Sequence, residues 1–316
     1  MKTNKLYKYI NLLFRILIGA FAIWFIYIKL KDYSFSVWDV KFILKFKYEY
    51  LLLATLLLFL NWGIEAKKWK YLIRETIKIK WYTAFKKIMT SITVGLVTPN
   101  RIGEIPARAI LLNDKKNLKD LIVKTSVGAY SQLLVTLFFG TMASLFSLCV
   151  FQIYATVYLN VCLVIITIVM ASSYFFQKYV VNIFYKIGYV KRKNLLDGLN
   201  DYGIVQLTFV FFLSSLRYLV FSLQFYLVLS AFNFQFFSFT ELLLIPLCFM
   251  ITSFIPTILI SEIGVRGSVA LFVFGTISNM EAQIVLASVI LWFINIAFPA
   301  LMGLINISDF KILEEN

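Results

Sequence analysis

Residues 98–108 read TPNRIGEIPAR, and they cut short an apolar run of about ten residues, Ile88 to Val97. At about 1.5 Å per helical residue such a run covers roughly 15 Å, half of a hydrocarbon core of about 30 Å. A second interrupted stretch, IPTILISEIGVRG, occupies residues 255–267. Both set Pro, Gly, Glu and Arg beside strongly apolar sequence. Two Gly/Pro-broken hydrophobic segments at matching places in two halves of a chain point to a site between inverted repeats.

Composition supports a membrane setting. The chain is 61% hydrophobic and 15% charged, with a mean hydropathy of +0.83, whereas soluble domains have about a quarter of their residues charged. Spanning segments must satisfy their own backbone groups, so the expected fold is an all-α polytopic membrane protein. It has about six full transmembrane helices plus two Gly/Pro-broken or re-entrant segments in a pseudo-inverted repeat. There is no histidine, which excludes His-based metal or triad chemistry. Cys149, Cys162 and Cys248 lie in apolar runs without metal-ligand spacing. No Walker-type phosphate loop occurs. No cofactor or metal is expected. The net charge of +15 fits loop cations that orient the chain better than a nucleic-acid partner.

In order, full spans are expected at about 11–28, 48–64, 122–149, 153–176, 204–232 and 284–305. The first resembles a signal peptide, but Ile23, Trp24 and Phe25 extend it, and it reads as an uncleaved span. The chain is a single integral membrane domain, 1–316. Its first half is about 1–150 with broken segment 88–112, and its second about 151–316 with broken segment 242–277. Residues 67–87 interleave basic and aromatic residues and read as an amphipathic elbow on the cytoplasmic surface, aromatic side toward lipid. The first broken segment is either a re-entrant hairpin or a short span returning through Ile102 to Leu112. Most of the 31 Lys and Arg then fall on one side. This places both termini on the cytoplasmic side of the membrane.

Five arginines fall in membrane segments: Arg15, Arg101, Arg108, Arg217 and Arg266. Each costs on the order of 2.5–3.5 kcal/mol at mid-span. Arg15 can snorkel to the interface; the other four need a protein interior and partners. Glu104 and Glu262 are the candidates, with Glu65 at the end of the second span. Two roles are open and compatible. The charges neutralise one another and hold the broken helices together, or the guanidinium groups bind a phosphate. In the second, restarting helices add backbone N–H donors, and Gly103, Gly264 and Gly267 let a headgroup approach the backbone. Asn61, Gln132, Gln224 and Asn295 are expected to be ordinary interhelical hydrogen-bond partners.

Pro99, Arg101, Gly103, Glu104 and Arg108, with Gly264-Val265-Arg266 and Trp69, resemble the signature residues of the lysylphosphatidylglycerol synthase transmembrane-region, or flippase-like, family. Members more often carry a glutamate directly after Gly-Val-Arg; here Glu262 precedes it and Gly267 takes that place. The resemblance implies an inner-membrane protein that moves lipids between leaflets, here without the soluble aminoacyl-transferase domain of fused members. The expected function is therefore a lipid translocase, not an enzyme. It would bind a membrane phospholipid or lipid-linked headgroup at Arg101, Gly103, Glu104, Arg108, Arg217, Glu262, Gly264 and Arg266, with a separate lipid-modifying enzyme as a further partner. A membrane-embedded subunit or enzyme using a lipid carrier, and a lipid-binding scaffold, are the alternatives.

Overall fold

Long apolar runs become long helices where nothing interrupts them. The computed structural model describes residues 46–306 apart from 97, 152–154 and 187–196, together with residues 24, 27 and 28. Apart from residues 24, 27 and 28, the span expected at 11–28, with Arg15, lies outside the described residues. The described chain forms α1 (Tyr48–Leu72), α2 (Trp81–Leu96), α3 (Glu104–Ile110), α4 (Leu118–Phe151), α5 (Ala155–Phe175) and α6 (Gln177–Lys186). It continues through α7 (Ile204–Ala231), α8 (Leu244–Phe254) and α9 (Leu259–Phe274) to α10 (Glu281–Leu304). Five of these, α1, α4, α5, α7 and α10, are long and apolar enough to cross a membrane. The protein is an all-helical polytopic membrane protein.

The axis of the fold is α1 against α7. Their contacts run in opposite order along the two helices. The Lys47 N–H donates to the Ala231 carbonyl at 3.1 Å and Gln224 Nε2 to the Ala54 carbonyl at 2.9 Å. Farther along, Arg217 Nε donates to Asn61 Oδ1 at 3.0 Å, and Lys68 Nζ to Ser214 Oγ at 3.2 Å. The Tyr202 hydroxyl closes the series on the Leu72 carbonyl at 2.5 Å. The pair is antiparallel, one member from each half of the fold.

Each half contributes a broken helix. Lys87 Nζ donates to the Leu111 carbonyl, and Gly95 lies directly beneath the Glu104 side chain. So α2 and α3 run antiparallel and make a hairpin. Helix α2 starts at Trp81, earlier than the apolar run suggested, because Ala84, Phe85, Ile88 and Met89 form one buried face ahead of it. In the second half, α8 stops at Phe254 and α9 restarts at Leu259. Pro256 makes that break; Pro246 sits in the first turn of α8, where its missing N–H costs nothing.

The hairpins are exchanged between halves. The first arm of each packs on the other half, α2 on the end of α10 and α8 on α4. The second arm packs on its own half, α3 on α4 and α9 on the start of α10. Thr93 Oγ1 donates to the Ala300 carbonyl at 2.7 Å, and Gly140 admits the Met250 side chain. This repeated pattern around an antiparallel pair is the inverted-repeat arrangement.

Residues 67–87 differ from the surface elbow expected of them. Helix α1 continues to Leu72, carrying Trp69, Leu72 and Ile73 into the protein core rather than into lipid. Trp69 Nε1 donates to Thr125 Oγ1 at 3.0 Å. Lys67, Lys70, Arg74, Lys78 and Lys80 remain exposed, whereas Lys68 is buried. A charged helical segment can continue inward when its own turn supplies a counter-ion, and Glu65, one turn back, does so.

The seam between α2 and α10 is tight at Gly303, where an added Cβ would meet the Met89 carbonyl and Thr93 Oγ1. Backbone cannot swing aside, so Gly303→Ala should lower stability by about 1–3 kcal/mol. A thermal melt of the purified protein in detergent checks this; an unchanged midpoint would mean the seam is looser than described.

Candidate functional site

The two hairpin tips meet. Asn100 N–H donates to the Thr257 carbonyl at 3.0 Å, and Thr257 N–H donates to Asn100 Oδ1 at 2.6 Å. This reciprocal pair satisfies broken backbone at both interruptions, as a segment away from water requires. The first tip is a tight turn, with Asn100 at φ 49° and Arg101 at φ 57°. Asparagine visits this left-handed region readily, whereas arginine holds it at a cost of roughly 1–2 kcal/mol. Arg101 is kept there by Glu104, one turn on, which accepts from Nε at 2.6 Å.

Behind the tips lies a cavity of about 540 Å³, sharing Arg101, Arg217 and Arg266 with an adjoining one of about 240 Å³. Helical spacing puts its polar wall together. Asn61, Trp62, Glu65 and Lys68 lie on one face of α1, and Gly128, Gln132 and Thr136 on one face of α4. Helix α7 adds Arg217, and the hairpins add Arg101, Glu104, Arg108, Glu262 and Arg266.

Glu65 is the centre of the charge network. Its carboxylate receives Arg108 Nη1 at 2.6 Å, Lys68 Nζ at 2.8 Å and Arg217 Nη1 at 3.2 Å. Lys68 also donates to the Gly128 carbonyl and to Ser214 Oγ, each at 3.2 Å. Arg217 reaches Gln132 Oε1 at 3.3 Å and lies over the Trp62 ring, 4.6 Å from its centroid. Arg108 has Glu104 as a second, longer partner at 3.6 Å. On the other hairpin, Arg266 holds Glu262 through Nη2 at 2.8 Å and Nε at 3.0 Å. The glutamate that precedes Gly-Val-Arg sits one helical turn before its arginine and pairs with it directly.

Six of the eight residues expected at the site line the cavity: Arg101, Glu104, Arg108, Arg217, Glu262 and Arg266. Gly103 and Gly264 do not. An added Cβ at Gly103 would strike Thr98, whose Oγ1 accepts the Gly103 N–H at 2.9 Å; this glycine closes the turn. Gly264 and Gly267 are buried within α9. At the second break the Ile258 N–H is taken by Ser261 Oγ at 2.8 Å. Lys68 and Trp62 were not anticipated, and Asn61, Gln132 and Asn295 were read as generic. Asn61 Nδ2 donates to Asn295 Oδ1 at 2.7 Å, where α10 widens into a π-helical turn at Phe293–Ala297. Such turns recur at functional sites. At the mouth, Ile102, Leu133 and neighbouring Phe254 are exposed, giving the charged interior an apolar rim.

Removing one partner from a buried ion pair costs about 3–5 kcal/mol, because a charge is left alone. Glu65→Gln leaves three cations without their carboxylate, and Glu262→Gln leaves one. The first should lower the melting midpoint far more than the second, and adding Arg217→Gln to Glu65→Gln should restore part of the loss. Equal melting of the two single variants would remove Glu65 from its central place.

A family model described as the lysylphosphatidylglycerol synthase TM region matches residues 12–303. Comparison with curated proteins gives no match, and neither does comparison with solved structures.

Proposed function

The chain belongs to the lysylphosphatidylglycerol synthase TM-region family, and from that membership and the cationic cavity we propose that it is a lipid translocase. Membership supports a membrane, lipid-related role; the cavity supports the finer reading. The observation that carries it is the presence of Arg101 and Arg266, one from each hairpin, in one apolar-rimmed cavity. An amphiphile fits such a place. Its charged headgroup sits among guanidinium groups, which bind phosphate oxygens two at a time, and its tails leave past Ile102, Leu133 and Phe254 into lipid.

Movement follows from the inverted arrangement. Rocking of one half against the other about the α1–α7 pair would open the cavity first to one leaflet and then to the other, while the headgroup stays near the hairpin tips. No covalent step is involved. The drive is downhill supply of lipid, membrane potential or protonation of a cavity carboxylate. In this reading the protein lies in a bacterial-type cytoplasmic membrane with both termini in the cytoplasm. A separate lipid-modifying enzyme supplies or consumes the lipid.

Reconstitution into vesicles with headgroup-tagged fluorescent lipids, followed by quenching of the outer leaflet, tests the proposal. A hydrogen bond to a charged group contributes about 1.5–3 kcal/mol, equivalent to about tenfold or more. Arg101→Gln and Arg266→Gln each leave a glutamate unpaired and so lower the melting midpoint, and in protein that remains folded at the assay temperature each should slow lipid movement by at least that factor. Undiminished movement in both folded variants would make the arginines structural only. Formation of a new product from a lipid-linked donor would make the protein an enzyme.

A further inference from the structure

Resting on the translocase reading, the charge count of the cavity points further. Five cations face it, Lys68, Arg101, Arg108, Arg217 and Arg266, and three carboxylates, Glu65, Glu104 and Glu262. Five minus three leaves two positive charges. Among the described residues no other acidic side chain lines the cavity. Lys68 is counted with its ion pair to Glu65 and its hydrogen bonds to the Gly128 carbonyl and Ser214 Oγ. An excess of two cations in surroundings of low dielectric is costly without a counter-charge.

The unused donors lie where that counter-charge would bind. Arg101 and Arg266 commit Nε and Nη2 to Glu104 and Glu262. Their Nη1 groups make no hydrogen bond to the described protein, and both side chains remain partly exposed to the cavity. The buried indole N–H of Trp62 in the same wall is also without a partner.

We infer that the headgroup is a doubly charged phosphate: a phosphate monoester, or a diphosphate esterified at both ends, carried on a lipid. A phosphate monoester carries about −1.5 to −2 at neutral pH, which matches the excess. A phosphodiester lipid such as phosphatidylglycerol supplies one charge and leaves one cation bare. A zwitterionic lipid supplies none, and an aminoacylated lipid with a net positive charge adds to the repulsion.

The test uses the full chain reconstituted in phosphatidylcholine vesicles, with tagged phosphatidic acid, phosphatidylglycerol and phosphatidylcholine compared side by side. One unit of charge at contact distance in a protein-like dielectric exceeds a tenfold preference. Phosphatidic acid should therefore move faster than phosphatidylcholine by about tenfold or more, with phosphatidylglycerol between them. Gln132→Glu, which brings a fourth carboxylate beside Arg217, should shift the preference toward phosphatidylglycerol. Equal movement of all three lipids in the wild-type protein would keep the translocase and overturn the doubly charged guest. If no lipid moves, native mass spectrometry of the detergent-solubilised protein decides. Retention of phosphatidic acid about tenfold over phosphatidylglycerol supports the doubly charged guest while overturning translocation; retention of neither overturns both. Inorganic pyrophosphate that competes as well as phosphatidic acid would assign the cavity to a soluble anion and overturn the lipid carrier.

Discussion

A single carboxylate, that of Glu65, decides how the interior of this protein can be arranged. It draws together Lys68 from its own helix, Arg108 from the first hairpin and Arg217 from α7. None of these cations could be kept in an apolar interior without such a partner, and the carboxylate could not be kept without them. Because Lys68 is satisfied there, α1 continues inward past Glu65 instead of ending at a charged boundary. Because Arg108 is drawn to the same point, the seven-residue α3 is fixed against α1 and α4 despite being too short to hold a position alone. The rest of the cavity wall follows from those placements.

The hairpin tips answer a second constraint. Backbone broken at depth needs partners, and open chain is tolerated only where it is enclosed by protein or borders a polar cavity. Asn100 and Thr257 meet that need by exchanging hydrogen bonds, and the residues beside them carry the cavity's arginines. Satisfying the backbone and presenting the charges are therefore one geometric act. The left-handed backbone of Arg101 is where the two demands conflict, and Glu104 holds it in place.

Much of this was legible in the residues. Prolines and glycines beside half-length apolar runs marked both breaks, and arginines too costly to face lipid had to converge with Glu104 and Glu262. What was hidden depended on partners distant in the chain. Residues 65–72 read as the end of a span because Glu65 and three lysines interrupt the hydropathy; that Glu65 and Lys68 share a face of a continuing helix becomes visible only when Arg108 and Arg217 arrive. Asn61 and Asn295 look like any interhelical amides, and nothing local reveals that a π-helical turn in α10 brings them together. The glycines misled in the other direction. Gly103 suggested an open approach to the backbone, yet it makes room for Thr98. The exchange of hairpin arms between halves left no local mark, since an apolar face does not name the surface that covers it.

That exchange governs the order in which the protein can be assembled. The seat of α2 is shared between α1 and the end of α10, the last helix described, so the first hairpin is only partly seated while the second half is still missing. Until then its arginines and open backbone lack their permanent surroundings, and so does the face of α4 that waits for α8. The halves cannot be completed one after the other like independent modules. A chain cut between them would leave each half holding a limb that packs on the other.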